Sequence, residues 1–268
     1  MNISAKARIS MRALALGYLF VLLVLPLVII LWRSFADGIG AFFDSVSTPA
    51  AIAALDLSVL IVAIVVPINV IFGVATALAL VRGRFPGRRL LQSVVDLPFA
   101  VSPVVVGVAL IMLWGVGGWF GDVENLGFRV IFGLPGMVIA TLFVTLPFVV
   151  REVEPVLHEI GDEQEQAAAT LGASKWQTFW RITLPSIRWG LTYGIVLTVA
   201  RALGEFGAVI MVSSGFPGES QTLTLLVEGR YINDHNTFGA YCAATLLMGL
   251  ALVTLLLMTV LDRKRGRP

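Results

Sequence analysis

Six stretches of this chain hold apolar residues with almost no interruption, and the polar residues collect between them. The runs cover 13–32, 57–81, about 98–114, 131–150, about 189–212 and about 238–261. A helix needs about 20 apolar residues to cross about 30 Å of hydrocarbon, and these runs meet or approach that length. The third is preceded by a semi-polar run from Leu90. The pattern predicts an all-α, polytopic membrane protein with six transmembrane helices in a single domain over 1–268. Pro26, Pro67, Pro103, Pro135 and Pro147 fall inside these runs. In lipid, proline kinks a helix rather than ending it, because neighbouring helices satisfy the freed carbonyls. The first run follows basic residues as a signal peptide would. It is too long for that, and Trp32-Arg33 offers no small-residue cleavage site, so it reads as a span.

Between the fourth and fifth runs the pattern changes. The segment 151–188 opens with acidic residues: Glu152, Glu154, Glu159, Asp162, Glu163 and Glu165. Asp162 and Glu163 suit the first turn of a helix, where the backbone dipole favours negative charge. Alanine-rich Gln166 to Leu171 is strong helix former. Gly172 is a natural stop, since glycine alone enters the left-handed region without steric cost. Ser174 and Gln177 have capping-box spacing, so a second helix is expected at once. Trp176, Phe179, Trp180 and Thr183 then recur at helical spacing, and Pro185 marks the approach to the fifth run. The expected shape is two short helices at an angle, protruding at the membrane surface. The alanine face leaves room for another protein's groove. The aromatic stripe anchors a docking surface, lies in the headgroup zone or packs on the protein's own helices.

Composition strengthens the membrane assignment: 57% of the residues are hydrophobic and 13% charged, with mean hydropathy +0.90. A soluble domain carries about 25% charged residues. The basic residues sort by side. Lys6, Arg8, Arg12, Arg82, Arg84, Arg88, Arg89, Arg151, Lys175, Arg181, Arg188, Arg263, Lys264, Arg265 and Arg267 all fall on one face of a six-span topology. Only Arg33, Arg129 and Arg230 fall on the other, where Asp37, Asp44, Asp56, Asp122, Glu124, Glu219, Glu228 and Asp234 give an acidic lean. The excess of basic residues marks the cytoplasmic side, so both termini and the 151–188 segment are expected there. The single cysteine, Cys242, excludes a disulfide framework, and His158 and His235 are too few for a metal site. No P-loop is present: Lys6, Lys175 and Lys264 follow Ala5, Ser174 and Arg263, never glycine.

Arg201 and Glu205 lie four apart inside the fifth run, on one helix face. A charge at mid-membrane costs about 2.5–3.5 kcal/mol, so such residues face the bundle interior and pair. They read either as a pair locking the helix to its neighbours or as lining of a translocation path; a gate element is the working assignment. Gly204 and Gly207 flank Glu205 and permit close approach. Gly190 and Gly194 have small-xxx-small spacing, which suits a second close contact, with a partner subunit as one option.

Gln166, Ala167, Ala168, Gly172, Ile182, Leu184 and Pro185 stand in the register of the EAA loop of membrane subunits of ATP-binding-cassette importers, which this segment resembles. Gln166 occupies the position usually held by glutamate, with Glu165 just before it. The stretches "DLPFAVSPVVVGVAL" (96–110), "TLPFVVREVEPVL" (145–157), "ARALGEFGAVIMVS" (200–213) and "TLTLLVE" (222–228) extend the resemblance across most of the chain. They are similar to the CysW-type sulfate/thiosulfate permease family, in an oxyanion branch close to molybdate and tungstate permeases. The resemblance implies a type I ABC importer permease fold and a subunit, not an enzyme, of an ATP-driven sulfate/thiosulfate importer in the bacterial cytoplasmic (inner) membrane. It implies as partners a homologous CysT-type permease, two ABC ATPase subunits and an external sulfate-binding protein, with membrane lipid around the chain and no nucleic acid. No cofactor is expected in this chain; ATP and Mg belong to the partner ATPase. The 151–188 segment would then couple the ATPase to the spans. A molybdate/tungstate permease is the near alternative. A proton-coupled secondary anion carrier using Arg201 and Glu205 is the alternative from a different class. A membrane-embedded enzyme is disfavoured by the lack of a His/Cys cluster.

Overall fold

The computed structural model describes residues 5–122, 127 and 129–265, with side chains described from 11 to 257 and at 259–260 among them. The basic side chains of Lys6, Arg8, Arg263, Lys264, Arg265 and Arg267 and the acidic Glu124 lie outside the described set. Helices and no strand occur among the described residues. Helix α1 covers 5–34, with a π turn at Phe20–Val24, and α2 is Ile39–Val46. Then follow α3 (Pro49–Arg82), α4 (Arg88–Ala100), α5 (Pro103–Trp114), α6 (Leu134–Ile160) and α7 (Glu163–Thr170). Helix α8 covers 175–203 with a π turn at Phe179–Thr183, and α9 is Val209–Val212. Helix α10 covers 223–233, its end a π turn at Gly229–Asn233, and α11 is Thr237–Arg265.

Among the described residues, four helices are long and apolar enough to cross a membrane: Met11–Ser34, Pro49–Arg82, Leu134–Ile160 and Thr237–Leu257. The third expected span is not one rod. Helices α4 and α5 meet at 112°, and counting the pair as one span makes five. Pro103 sets this elbow: it opens α5 in the first turn, where its missing N–H is not needed. The fifth expected span also differs, because α8 ends at Leu203 instead of continuing to Val212. Gly204 and Gly207 lower helix propensity there. The Glu205 carboxylate takes the amide of Ala208 instead, at 2.9 Å. Pro135, placed inside the fourth run, opens α6. Helix α6 in turn runs on to Ile160, so the first residues of the 151–188 segment continue a spanning helix.

The π turns in α1 and α8 end two residues before a proline, Pro26 and Pro185. Each turn sends the next amide, Leu25 or Leu184, back five residues, to Phe20 or Phe179. The extra residue lets the chain accept a proline without breaking the helix.

The bundle centre is α3, α6 and α8. Along α3 the buried residues Ala51, Ala54, Ser58, Ile61, Val65, Asn69, Gly73, Ala77 and Leu80 form one stripe, while Ile71 and Phe72 face outward. Small residues on that stripe bring backbones together, as expected where lipid removes the hydrophobic drive between helices. A Cβ on Gly73 would stand 2.7 Å from Val149 Cβ. Buried Asn69 donates to Thr145 Oγ1 at 2.6 Å, a direct α3–α6 hydrogen bond. Gly190 and Gly194 serve the α6–α8 contact within the chain: their Cβ atoms would meet the Glu152 carbonyl at 2.6 Å and Val149 Cα at 3.1 Å.

At the opposite end of the bundle from the 163–183 protrusion, buried Arg230 fastens the connectors. It donates to the carbonyls of Ser45 and Gly239, each at 3.0 Å, and to Thr48 Oγ1 at 2.9 Å. Burial lowers its pKa from the ordinary arginine value, against the opposing influence of Cys242 and Asp234.

Candidate functional site

The sequence-predicted elbow forms from the short α7 and the start of α8; the second helix does not end as a short piece but continues through the π turn into the bundle. Glu163 and Glu165 lie in the first turn of α7, where the dipole favours them. Its C-terminus closes on Gly172, at φ +84°. The Gly172 amide donates to the Ala169 carbonyl and the Ala173 amide to the Ala168 carbonyl, each at 3.0 Å. These two bonds satisfy helix-end carbonyls that would otherwise lack partners, and they require the left-handed residue. The second helix starts with the expected capping box: Gln177 N–H donates to Ser174 Oγ at 3.3 Å, and Ser174 N–H donates to Gln177 Oε1 at 2.9 Å.

Exposure divides the segment's residues. Gln166, Ala167 and Gly172 face out and Ala168 is half-buried. Leu171, at the turn, is 88% exposed and Trp176 is 69% exposed. Solvated loops rarely present such apolar groups together unless something covers them. Trp176 and Trp180 meet edge to face at 5.5 Å between centroids, and Phe179 beside them packs on the bundle core. The aromatic stripe thus splits: Phe179 anchors, while the two tryptophans remain outward. Ile182 is half-buried, Leu184 packs on the core, and Pro185 sits in the first turn after the π turn.

The segment's neck carries a feature that the residue pattern did not single out. Glu165, not Gln166, makes the ion pair: its Oε2 lies 3.1 Å from Arg82 Nε at the end of α3. Its Oε1 accepts from Thr183 Oγ1 at 2.8 Å. Arg82 also donates to the carbonyls of Leu157 and Gly161 at the end of α6. Near the same end, Arg151 of α6 pairs with Asp96 of α4 at 2.6 Å and lies 5.4 Å from the Phe99 ring centroid. Pairs 55 and 83 positions apart carry no local signal in the sequence.

Arg201 and Glu205 do come together, with Nη2 2.8 Å from Oε2. The contact is an ion pair by distance, and Glu205 Oε2 makes no aligned hydrogen bond. Their shared helix face does not exist, since α8 stops between them. Glu205 is buried in the break, and its backbone carbonyl accepts from Thr224 Oγ1 at 2.8 Å. Gly207 gives the close approach: a Cβ there would stand 3.1 Å from Pro103 Cβ of the elbow. Gly204 gives none, having nothing nearer than 3.7 Å. Arg201 lines a cavity of about 430 Å³ at that elbow, with Phe99, Ser102, Pro103, Val144 and Phe148. No cluster of metal-ligating side chains occurs among the described residues.

Residues 69–267 match the family described as binding-protein-dependent transport system inner membrane component. The sulfate transport system permease protein CysW of Synechocystis is 48% identical over 97% of this chain and 95% of its own. The CysT permease of the same organism is 34% identical, over 92% of this chain and 86% of its own. Among solved structures, a bacterial alginate ABC transporter in complex with an alginate-bound periplasmic protein superposes with a TM-score of 0.76. It is 17% identical and covers 96% of this chain and 94% of its own, so the likeness speaks for the fold. The chain therefore belongs to the family of binding-protein-dependent transport system inner membrane components, and within it to the branch of the CysW permeases.

Proposed function

We propose that this chain is a permease subunit of an ATP-driven importer of sulfate/thiosulfate. It pairs with a homologous CysT-type permease, is driven by two separate ATPase subunits bound at its cytoplasmic elbow, and receives substrate from an external binding protein. The similarity to CysW and CysT sulfate permeases supports the substrate and the pairing. The observation that carries the coupling role is the exposed, glycine-closed turn with Leu171 and Trp176 outward, beyond the end of spanning helix α6. With α8, packed against α3 and α6, as the sixth crossing, both termini face the cytoplasm, in keeping with the basic residues on that side.

Coupling follows from the architecture. An ATPase groove that grips α7 and the start of α8 moves them as a unit, and α8 continues without interruption into the bundle beside α6. Rigid-body rocking of packed helices is an established way to open one side and close the other. The elbow at Pro103 and the break at Gly204–Ala208 meet at the cavity that Arg201 lines, which makes this the constriction we assign to the path. Arg201, Gly204, Glu205 and Gly207 belong to that gate, with Gly207 making the close contact. A proton relay through Glu205 is disfavoured, because the carboxylate is buried against Arg201 and holds the Ala208 amide.

The test is uptake into vesicles. With both permeases, the ATPase subunits, ATP on the cassette side and the binding protein outside, labelled sulfate is expected to accumulate. Uptake from a proton gradient alone, without ATP, would sink this assignment in favour of a secondary carrier.

A further inference from the structure

We propose that Arg82, Glu165 and Thr183 form the joint through which movement of the elbow enters the bundle, so that they set how tightly ATP hydrolysis is coupled to transport. The inference rests on the importer reading above and adds positioning residues to it.

The joint closes the neck of the coupling segment. Glu165 and Thr183 lie 18 positions apart, one in the first turn of α7 and the other at the end of the π turn in α8. Their 2.8 Å hydrogen bond makes 166–182 a clasped loop. The same carboxylate holds Arg82, the last residue of α3. The two terminal nitrogens of Arg82 donate to the carbonyls of Leu157 and Gly161. Those carbonyls lie at the C-terminal end of α6, where backbone oxygens lack intrahelical partners and a cation is favoured by the dipole. One guanidinium and one carboxylate thus tie α3, α6, α7 and α8 at a single point.

The chemistry suits a joint that transmits force. A planar guanidinium holds three acceptors in fixed directions, which a flexible ammonium does not reproduce. Thr183 is buried, while the Arg82 and Glu165 side chains are 23% and 22% exposed, so water competes only partly for the bonds. A cavity of about 360 Å³ between Leu78, Glu165, Ala169 and Phe179 lies beside the joint. Arg82 and Thr183 line it too, so on that side the elbow reaches α3 through these polar contacts and the packing of Phe179. Without them, α7 is held by its chain ends and by the packing around Phe179, and an ATPase stroke would bend the neck before shifting α3 and α6.

The test uses the assembled importer in vesicles and reads ATP hydrolysed per sulfate imported, in E165Q, R82Q, R82K and T183V. E165Q and R82Q are expected to raise that ratio about tenfold, within the range of ordinary coupling free energies. Hydrolysis stimulated by the binding protein should persist. T183V is expected to raise it less, and R82K, which keeps the charge, to fall between R82Q and the unsubstituted protein. The R82Q/E165Q double variant should fall short of the product of the two single effects, because the singles share the loss of the Arg82–Glu165 contact. A ratio unchanged in these variants, including a proportional loss of hydrolysis and uptake, overturns the joint. If E165Q fails to assemble, T183V and R82K decide the matter by the same ratio. Failure of the importer reading would show separately, as no ATP-dependent uptake by the unsubstituted complex.

Discussion

Gly172 shows how much one residue can announce. Its place after an alanine-rich helix predicts a left-handed stop, and the φ of +84° with two closing hydrogen bonds is that stop. The space around it is open, so backbone strain and not crowding is what a side chain would meet. Gly172→Val is therefore expected to cost about 1–2 kcal/mol locally. It should loosen the turn and abolish sulfate uptake while leaving the protein inserted at normal levels, measured by vesicle uptake beside a membrane-fraction immunoblot. Normal uptake would count against the turn's role. The capping box was equally legible, because its two partners lie three positions apart. The Glu165 ion pair was not. The family pattern drew attention to Gln166, whose amide carries no charge, while the acid one position earlier reaches an arginine at the far end of another helix. Distance along the chain hides such contacts from any local reading.

At the scale of the elements, apolar run length located the spans well and their ends poorly. Hydropathy treats an elbow and a rod alike: Pro103 predicts a kink but not a 112° elbow, and run length alone carries the helix past the break after Leu203. Each departure has a polar or proline cause that competes with the lipid's demand for unbroken helix. Helix α6 erred the other way: its apolar run ends near Val150, yet the helix continues to Ile160 with its charged face outside the core. The spacing of Gly190 and Gly194 predicted a close contact, and the structure places it against α6 of the same chain. There the Glu152 carbonyl would stand 2.6 Å from an added Cβ on Gly190. Backbone cannot swing aside as a side chain does. Gly190→Val is thus expected to destabilise the bundle by about 1–3 kcal/mol, the usual cost of overpacking. A lower midpoint of thermal unfolding in detergent would show it, and an unchanged midpoint would mean that α6 and α8 can part without penalty.

Across the whole molecule, the arrangement reads as a lever set into a bundle. Helices α3, α6 and α8 pack through small residues along their length, so displacement at one end is passed on and not absorbed. The exposed turn of Leu171 and Gly172 stands at one end of these helices. Arg201, Gly207 and the Pro103 elbow gather further along, at the break after α8. In the proposed assembly the turn would point toward the ATPase and the Arg230 end of the bundle toward the binding protein. Arg230 itself, a loop residue by the sequence pattern, is buried and fastens the α2–α3 junction to the start of α11.

The most direct measurement is a crosslink from the turn in the assembled importer. Cys242 is buried, so L171C adds an accessible thiol at a position 88% exposed in this chain alone. A short thiol-reactive crosslinker is expected to join position 171 to an ATPase subunit in high yield, with the yield changing between nucleotide-free and ATP-bound complexes. Equal protection of that thiol by this chain's own helices, with no ATPase adduct in either state, would contradict the account.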